Sequence, residues 1–321
     1  MDISTLLDPF SILHLPLADM ANDFIRWLTS NFRDVFRAMK VPVKILLDLI
    51  EDGLRGAPQT LIVLLIGLLG WQVVNRATGL LAFFAMTTIG LIGAWDAAMT
   101  SLSVLTSAVL LATMAGLPVG ILCSRSNLMW AIVRPILDFM QTVPSFTYLV
   151  PVILLFGIGN VPGVIVTAFF ATPPLIRLTN LALRSVREDL VEAGNAFGAS
   201  PWKLLWAIEM PLARPTIMAG LNQTVMLSLA MSVIASMISV AGLGRLVLVG
   251  ISQLDMARAA TGGVGIVLLA MVFDRITQGF GLTRRDRNGH SLWEQGPVGH
   301  LRALFSTSQK TQDIPTEEET L

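Results

Sequence analysis

Residues able to do covalent or metal chemistry are few in this sequence and lie far apart. Cys123 is the sole cysteine, and His14, His290 and His300 are widely separated. That excludes an intrachain disulfide framework and argues against a Cys/His metal site. None of the four lysines (Lys40, Lys44, Lys203 and Lys310) follows a glycine, so no G-x-x-x-x-G-K-[ST] phosphate loop can be written. Any ATP-driven work must draw on another subunit. No apolar stretch carries a carboxylate near its middle, as a proton-coupled transporter often would. Asp274 and Arg275, at the end of the last apolar stretch, read as an end-of-helix pair, and Arg134 with Asp138 as a local i,i+4 pair. No histidine falls inside an apolar stretch and no nucleophile sits a turn away from a base, which disfavours an intramembrane enzyme.

What remains is recognition. Residues 185–214 are too charged to cross a membrane and read as two short amphipathic helices. The first runs through Leu190, Val191 and Ala193 to Ala196 and stops after Phe197 at Gly198. Ser200 is a good N-cap with Pro201 as the first helical residue; Leu204, Leu205 and Ile208 form an apolar side, and Pro211 is expected to end the helix. Ala193, Gly194, Ala196, Gly198 and Ala199 are small, permitting close approach by a partner's backbone. A second set lies further on. Ser228, Ser232 and Ser236 share a helical face at four-residue spacing, with Asn222 and Gln223 below them. Small-residue helix packing accounts for the serines, and lining of a translocation path is the alternative.

The elements that position these residues are membrane helices. Of the 321 residues 54% are hydrophobic and only 14% charged, with a mean hydropathy of +0.69. A soluble domain is roughly 45–50% apolar and about 25% charged. Acidic and basic residues balance at 22 each, so no global field draws the chain to nucleic acid. The start at Met1-Asp2-Ile3 has no basic and apolar run of a cleavable signal peptide. Charge-free runs cover 56–75, 77–95, 97–124, 139–176, 215–244 and 259–273. About 20 apolar residues cross a bilayer, so the run 139–176 must be two spans, divided at the turn-forming cluster from Gly157 to Gly163. The run 215–244 reads as one long helix and the last helix extends to Gly281, giving seven spans.

Basic residues mark the loops that stay in the cytoplasm. Arg76, Arg125, Arg134, Arg177, Arg184, Arg187, Lys203, Arg214, Arg284, Arg285 and Arg287 fall on one side; Arg245 and Arg258 fall on the other. The N-terminus is therefore expected outside and the C-terminus in the cytoplasm. Residues 20–41 place Phe24, Leu28, Phe32, Val35, Phe36 and Met39 opposite Arg26, Arg33, Arg37 and Lys40. Pro42 is expected to break this helix before Ile45, Leu46, Leu49 and Ile50 resume it. Such a segment suits the outer membrane–water interface, or the protein's own surface. The polar tail from 282 ends in Glu317-Glu318-Glu319 and is expected to be disordered beyond a short helix near Trp293.

The loop resembles that of ABC importer permeases, whose pattern is E-A-A, three residues, G, nine residues, I-x-L-P. Here Glu192-Ala193-Gly194, Gly198 and Ile208-Glu209-Met210-Pro211 stand at the same spacing, with Gly194 for Ala and Met210 for Leu. The stretches Met140–Pro144, Leu149–Pro151, Phe156–Gly163, Pro173–Thr179, Pro215–Gly220 and Leu254–Met256 are similar to the glycine betaine/proline betaine subgroup. The resemblance implies an all-α polytopic fold of about seven transmembrane helices, with a five-helix type I importer core and a cytoplasmic coupling helix. It implies an extracytoplasmic tail over 1–56, two accessory helices over 57–97, a core over 98–281 with coupling loop 188–211, and a cytoplasmic tail over 282–321. Glu192, Ala193, Gly194, Gly198, Ala199, Ile208 and Pro211 are the implied ATPase-coupling positions.

No cofactor is expected on this chain; ATP and Mg belong to the partner ATPase. The implied partners are two ATPase copies, an extracytoplasmic solute-binding protein and a second copy of the chain, in a bacterial inner membrane. The implied cargo is glycine betaine, proline betaine, choline or a related quaternary amine, taken up for osmoprotection. An amino acid or alkylsulfonate is the alternative cargo, and an ATP-independent secondary transporter the alternative class. No aromatic cage for a quaternary ammonium can be assigned from the sequence, which leaves selectivity mainly to the binding protein.

Overall fold

The computed structural model describes residues 16–282 and 296–299. Every regular element among them is helical: α1 Leu17–Asn31, α2 Arg33–Gly56, α3 Gln59–Val73, α4 Arg76–Leu91, α5 Trp95–Arg125, α6 Asn127–Thr142, α7 Leu149–Phe156, α8 Asn160–Arg184, α9 Glu188–Ala196, α10 Pro201–Ile238, α11 Leu243–Ser252 and α12 Met256–Gly281. At the centre α5, α8 and α10 pack side by side. Small residues bring them close: a Cβ on Gly120 of α5 would lie 2.6 Å from Cβ of Thr179 on α8, and one on Gly220 of α10 would lie 3.0 Å from Cβ of Leu178. Membrane helices have little hydrophobic drive to associate, so such close packing carries their cohesion.

Two apolar clusters bracket this trio. Toward one end Val104, Ala108, Val164, Met231 and Ile238 bury together with Val43 and Leu47 of α2. Toward the other, Leu175, Ala182 and Leu183 of α8 meet Leu205, Ala213 and Ile217 of α10. The hairpin α3–α4 and the final α12 complete the bundle through Ile62, Met86, Ile89, Met99, Leu243 and Leu269. Asn75 caps α4, its side chain accepting from the Thr78 N–H at 2.8 Å. After the last helix, the Val298 N–H donates to Gln72 Oε1 at 3.1 Å and ties the start of the tail to the end of α3. Trp293 itself lies outside the described residues, while residues 296–299 just beyond it form a short helical turn.

Several expectations need correction. Pro42 does not break the amphipathic segment: α2 runs through it, and the break falls at Phe32. Pro42 and Ala38 are both exposed, so the carbonyl that the proline ring would strike is free to tilt outward. Charge-free runs count seven spans; the described residues hold four helices long and apolar enough to cross (α5, α8, α10 and α12), or up to six if each of two bent pairs is one span. One pair is α2 with α3, bent by 109°. The other is α6 with the segment Ser145–Phe156, bent by 106° within the expected fourth span. Val143 is extended there at ψ 131°, as a residue before proline prefers, and Pro144 then starts a 3-10 turn. At 16 residues α4 is about 24 Å long, short of a bilayer core of about 30 Å.

The run 215–244 is also not one helix. α10 ends at Ile238, Ser239 and Gly242 take positive φ, and the separate α11 begins at Leu243. The reason is contact: the Leu243 N–H donates to Ser101 Oγ at 2.8 Å, and the Ala241 N–H to Asn160 Oδ1 at 2.8 Å. These bonds replace those a continuing helix would make. α11 then lies against α12, where a Cβ on Gly262 would come within 2.9 Å of Leu246 and Val247.

Candidate coupling loop

The loop between α8 and α10 is short, ordered by its own backbone, and apolar where it is most exposed. α9 ends at Ala196 and Gly198 takes φ +71°. The Ala199 N–H donates to Gly194 O at 3.1 Å and the Gly198 N–H to Asn195 O at 2.9 Å. This pair of bonds is a Schellman cap, whose left-handed residue is usually glycine. α10 restarts at once: Ser200 Oγ accepts from the Lys203 N–H at 3.3 Å, with Pro201 in the first turn.

Inside the loop, buried Gly194 faces Leu204 and Ile208, whose terminal carbons would lie 2.7 and 2.8 Å from an added Cβ. The two helices are thus in close contact at this glycine, with only the ends of two flexible side chains in the way of a Cβ. Glu192, Ala193, Gly198 and Pro211 are exposed, while Ala199 and Ile208 are half-buried. The site positions therefore divide into an inner set that shapes the loop and an outer set that a partner can reach. At the entry to α9, Arg187 donates to Asp189 at 3.1 Å through Nε. That hydrogen bond, with the guanidinium charge, holds the Asp189 carboxyl below the usual carboxylate range.

Three large apolar side chains escape the sequence reading. Phe197 is 93% exposed, Trp202 70% and Trp206 49%, and the two indoles meet edge to face at 5.6 Å. Their i,i+4 spacing was visible, but the apolar side assigned to that helix ran through Leu204 and Leu205, which are buried inward. Exposed aromatics around a rigid turn make an anchor for a partner's pocket.

Pro211 does not end the second helix. Residues Leu205–Glu209 form a π turn and the chain continues as α10. The wider turn takes up the helical register that the Pro211 ring would disturb. Glu209 sits in this turn with its side chain 5% exposed, paired with Arg125 at the end of α5, itself 44% exposed. Arg125 Nη1 donates to Glu209 Oε1 at 3.0 Å. Nearby, Arg184 at the end of α8 donates to Asn180 Oδ1 at 2.9 Å, Asn127 Oδ1 at 2.7 Å and Cys123 O at 2.8 Å. The two arginines fix the ends of α5, α6 and α8 to the root of the loop.

Along α10, Ser228 and Ser236 are buried and each hydroxyl bonds a carbonyl of its own helix, while Ser232 is half-buried. Gln223 is exposed. Asn222 donates to Asp274 at 3.2 Å and accepts from Thr277 at 2.6 Å. Asp274 also accepts from Gln278 at 2.7 Å, so its partners among the described residues are Asn222 and Gln278, and it forms no ion pair there with the adjacent Arg275. Asp138 pairs with Arg134 at 4.0 Å as expected, and more closely with Arg177 at 2.6 Å. Among the described residues no cluster of His, Cys, Asp and Glu could hold a metal.

The loop is thus capped, aromatic-tipped and continuous through its π turn with a long helix of the bundle. Residues 116–281 match the family described as the binding-protein-dependent transport system inner membrane component. The chain belongs to this family. It is 47% identical over 300 residues to the glycine betaine/proline betaine transport system permease protein ProW of Escherichia coli strain K12, covering 94% of this chain and 85% of that protein. It is 37% identical over 273 residues to the glycine betaine transport system permease protein OpuAB of Bacillus subtilis strain 168, covering 85% and 97%. A solved structure of the MetNI methionine ABC transporter in an inward-facing conformation has the same fold, with TM-score 0.53, 21% identity, and 62% and 96% of the two chains covered. The permease is a multi-pass inner-membrane protein and not an enzyme; ATP hydrolysis falls to a separate ATPase subunit. Its fold is the all-α type I importer fold.

Proposed function

We propose that this permease carries glycine betaine, proline betaine or a related quaternary amine such as choline inward at the expense of ATP, for osmoprotection. The observation that carries the reading is kinship over almost the whole chain with permeases named for these solutes. A third such relative is the glycine betaine/carnitine permease GbuB of Listeria monocytogenes, 39% identical over 272 residues. In the working complex two copies of the chain pair with two ATPase subunits and receive solute from an extracytoplasmic binding protein. The N-terminus lies outside, the C-terminus and residues 188–211 in the cytoplasm, and residues 98–281 form the transport core.

The mechanism follows from how the loop is mounted. Glu192, Ala193 and Gly198, with Phe197, Trp202 and Trp206, form the surface that the ATPase grips. When ATP binding closes the ATPase pair, the loop is drawn with it, and the load enters α10 through the π turn and α5 through the Arg125–Glu209 pair. The helix trio α5, α8 and α10 then shifts between inward and outward opening, a population shift driven by the partner's binding energy. On α10, Gln223 is exposed and Asn222 and Ser232 are half-buried, and these three are assigned to the path; Ser228 and Ser236, buried and bonded to their own helix, serve helix packing.

Uptake of labelled glycine betaine into ATP-loaded proteoliposomes tests the cargo, with the ATPase and binding protein present and choline, proline and taurine as competitors. ATP-dependent betaine uptake supports the reading. ATP-dependent uptake of a competitor alone keeps the class and discards the cargo.

A further inference from the structure

The N-terminal helices carry a charge pattern that transport leaves unused. Arg26 on α1 and Arg33, Arg37 and Lys40 on α2 line one face of a groove of about 880 Å³. Its opposite wall is the end of α7, where Leu154, Leu155 and Phe156 are apolar. The Phe36 and Phe156 rings meet edge to face at 5.4 Å and hold the two walls together. No carboxylate lines this groove: Asp23 and Asp34 belong to the same helices but lie outside it. Among the described residues none of the four cations forms an ion pair. Four uncompensated cations on one wall repel each other, and an anion between them removes that cost.

We propose that this groove binds the phosphate-bearing headgroup of an anionic phospholipid. The phosphate sits among Arg26, Arg33, Arg37 and Lys40, and the acyl chain leaves over Leu154, Leu155 and Phe156. A lipid is favoured over a free anion by what surrounds the cations. One wall is apolar, and Phe24 and Trp27 on α1, Met39 on α2 and Phe32 between them are exposed. α2 also turns by 109° from α3, a bend that lets α2 lie along the membrane surface while α3 enters it. A bound headgroup thus pins α1 and α2 to α7, next to the Gly157–Gly159 turn that leads into α8.

The test uses the permease–ATPase complex in phosphatidylcholine nanodiscs carrying trace spin-labelled lipid. Spin-labelled phosphatidylglycerol is expected to associate with the wild-type complex in preference to spin-labelled phosphatidylcholine. The Arg33→Gln/Arg37→Gln variant is expected to lose that preference, roughly five-fold for each charge removed. Arg33→Lys/Arg37→Lys should keep most of it, and Asp23→Asn, off the groove, should leave it unchanged. Equal association of the two lipids with the wild type overturns the proposal, a result that needs no variant to fold. So does unchanged preference in the glutamine variant. Displacement of the labelled phosphatidylglycerol by millimolar inorganic phosphate would make this a site for a free anion, and would overturn the lipid assignment.

Discussion

Gly198 sets the shape of the loop with one backbone angle. At φ +71° a side chain costs about 1 kcal/mol, although nothing lies within 4 Å of the position its Cβ would take. Gly198→Ala should therefore leave the bundle intact and loosen the turn, seen as faster proteolysis between α9 and α10. Gly194 is the reverse case, a right-handed helical residue with neighbours too near. Gly194→Ala needs only the ends of Leu204 and Ile208 to give way and should cost little; Gly194→Val should lower the loop's stability by about 1–3 kcal/mol. Thermal melts of the purified permease would separate the two.

The buried Glu209 makes a larger claim on stability. Removing one partner of a buried pair leaves an uncompensated charge and costs about 3–5 kcal/mol, and the half-exposed Arg125 reduces this to about 1–3 here. Arg125→Ala should lower the melting temperature, and adding Glu209→Gln should restore much of it. The Arg187–Asp189 pair works with the opposite pH sense to a histidine switch. Its carboxyl is held below the ordinary value, so its contribution is present above that value and is lost as pH falls through the lower, folded one. Coupling should be flat in this respect from about pH 5 to 8, measurable as solute-stimulated ATP hydrolysis across that range.

Among the elements, the loop and the start of α10 act as one unit, since the π turn joins them without a break. Phe197 and Trp202 project from it and bury little within the permease, while Trp206 is about half exposed. Replacing Trp202 by alanine should leave the melting temperature nearly unchanged while weakening ATPase binding by about 2 kcal/mol, roughly thirty-fold. Titration of the ATPase subunit onto nanodisc-held permease reads this directly. Local signals made α9, its stop at Gly198 and the cap at Ser200 legible in the sequence. Pro42 and Pro211 did not behave as local signals: the helices run through both. Proline fixes φ and removes a donor, but a π turn or an exposed carbonyl accommodates it, and neither is visible in a hydropathy pattern. Pro144 did interrupt a helix, inside a run that charge counting treated as one span.

At the scale of the molecule, composition was enough for an all-α membrane protein, and charge-free runs located its long helices. Those runs did not show that the last part folds as a long helix, a short α11 and a return through α12. That division is fixed by Ser101 and Asn160, 142 and 81 positions away from the backbone groups they hold. The same limit applied to the site. The motif residues were readable from spacing, while the Arg125–Glu209 pair joins residues 84 apart and left no local trace. The orientation assigned to the bundle makes its own prediction. With the buried Cys123 replaced, a cysteine at 202 should react with impermeant reagents only from the cytoplasmic side, and one at 254 only from outside.

The central claim is that the loop around Gly198 transmits the ATPase cycle to the bundle. Solute-stimulated ATP hydrolysis should be compared between wild type and Gly198→Asp, at equal amounts in the membrane and with the same ATPase and binding protein. The substitution adds charge and bulk at an exposed left-handed position, so the variant should insert normally while its ATPase no longer responds to solute. Normal stimulation in that variant would contradict the account.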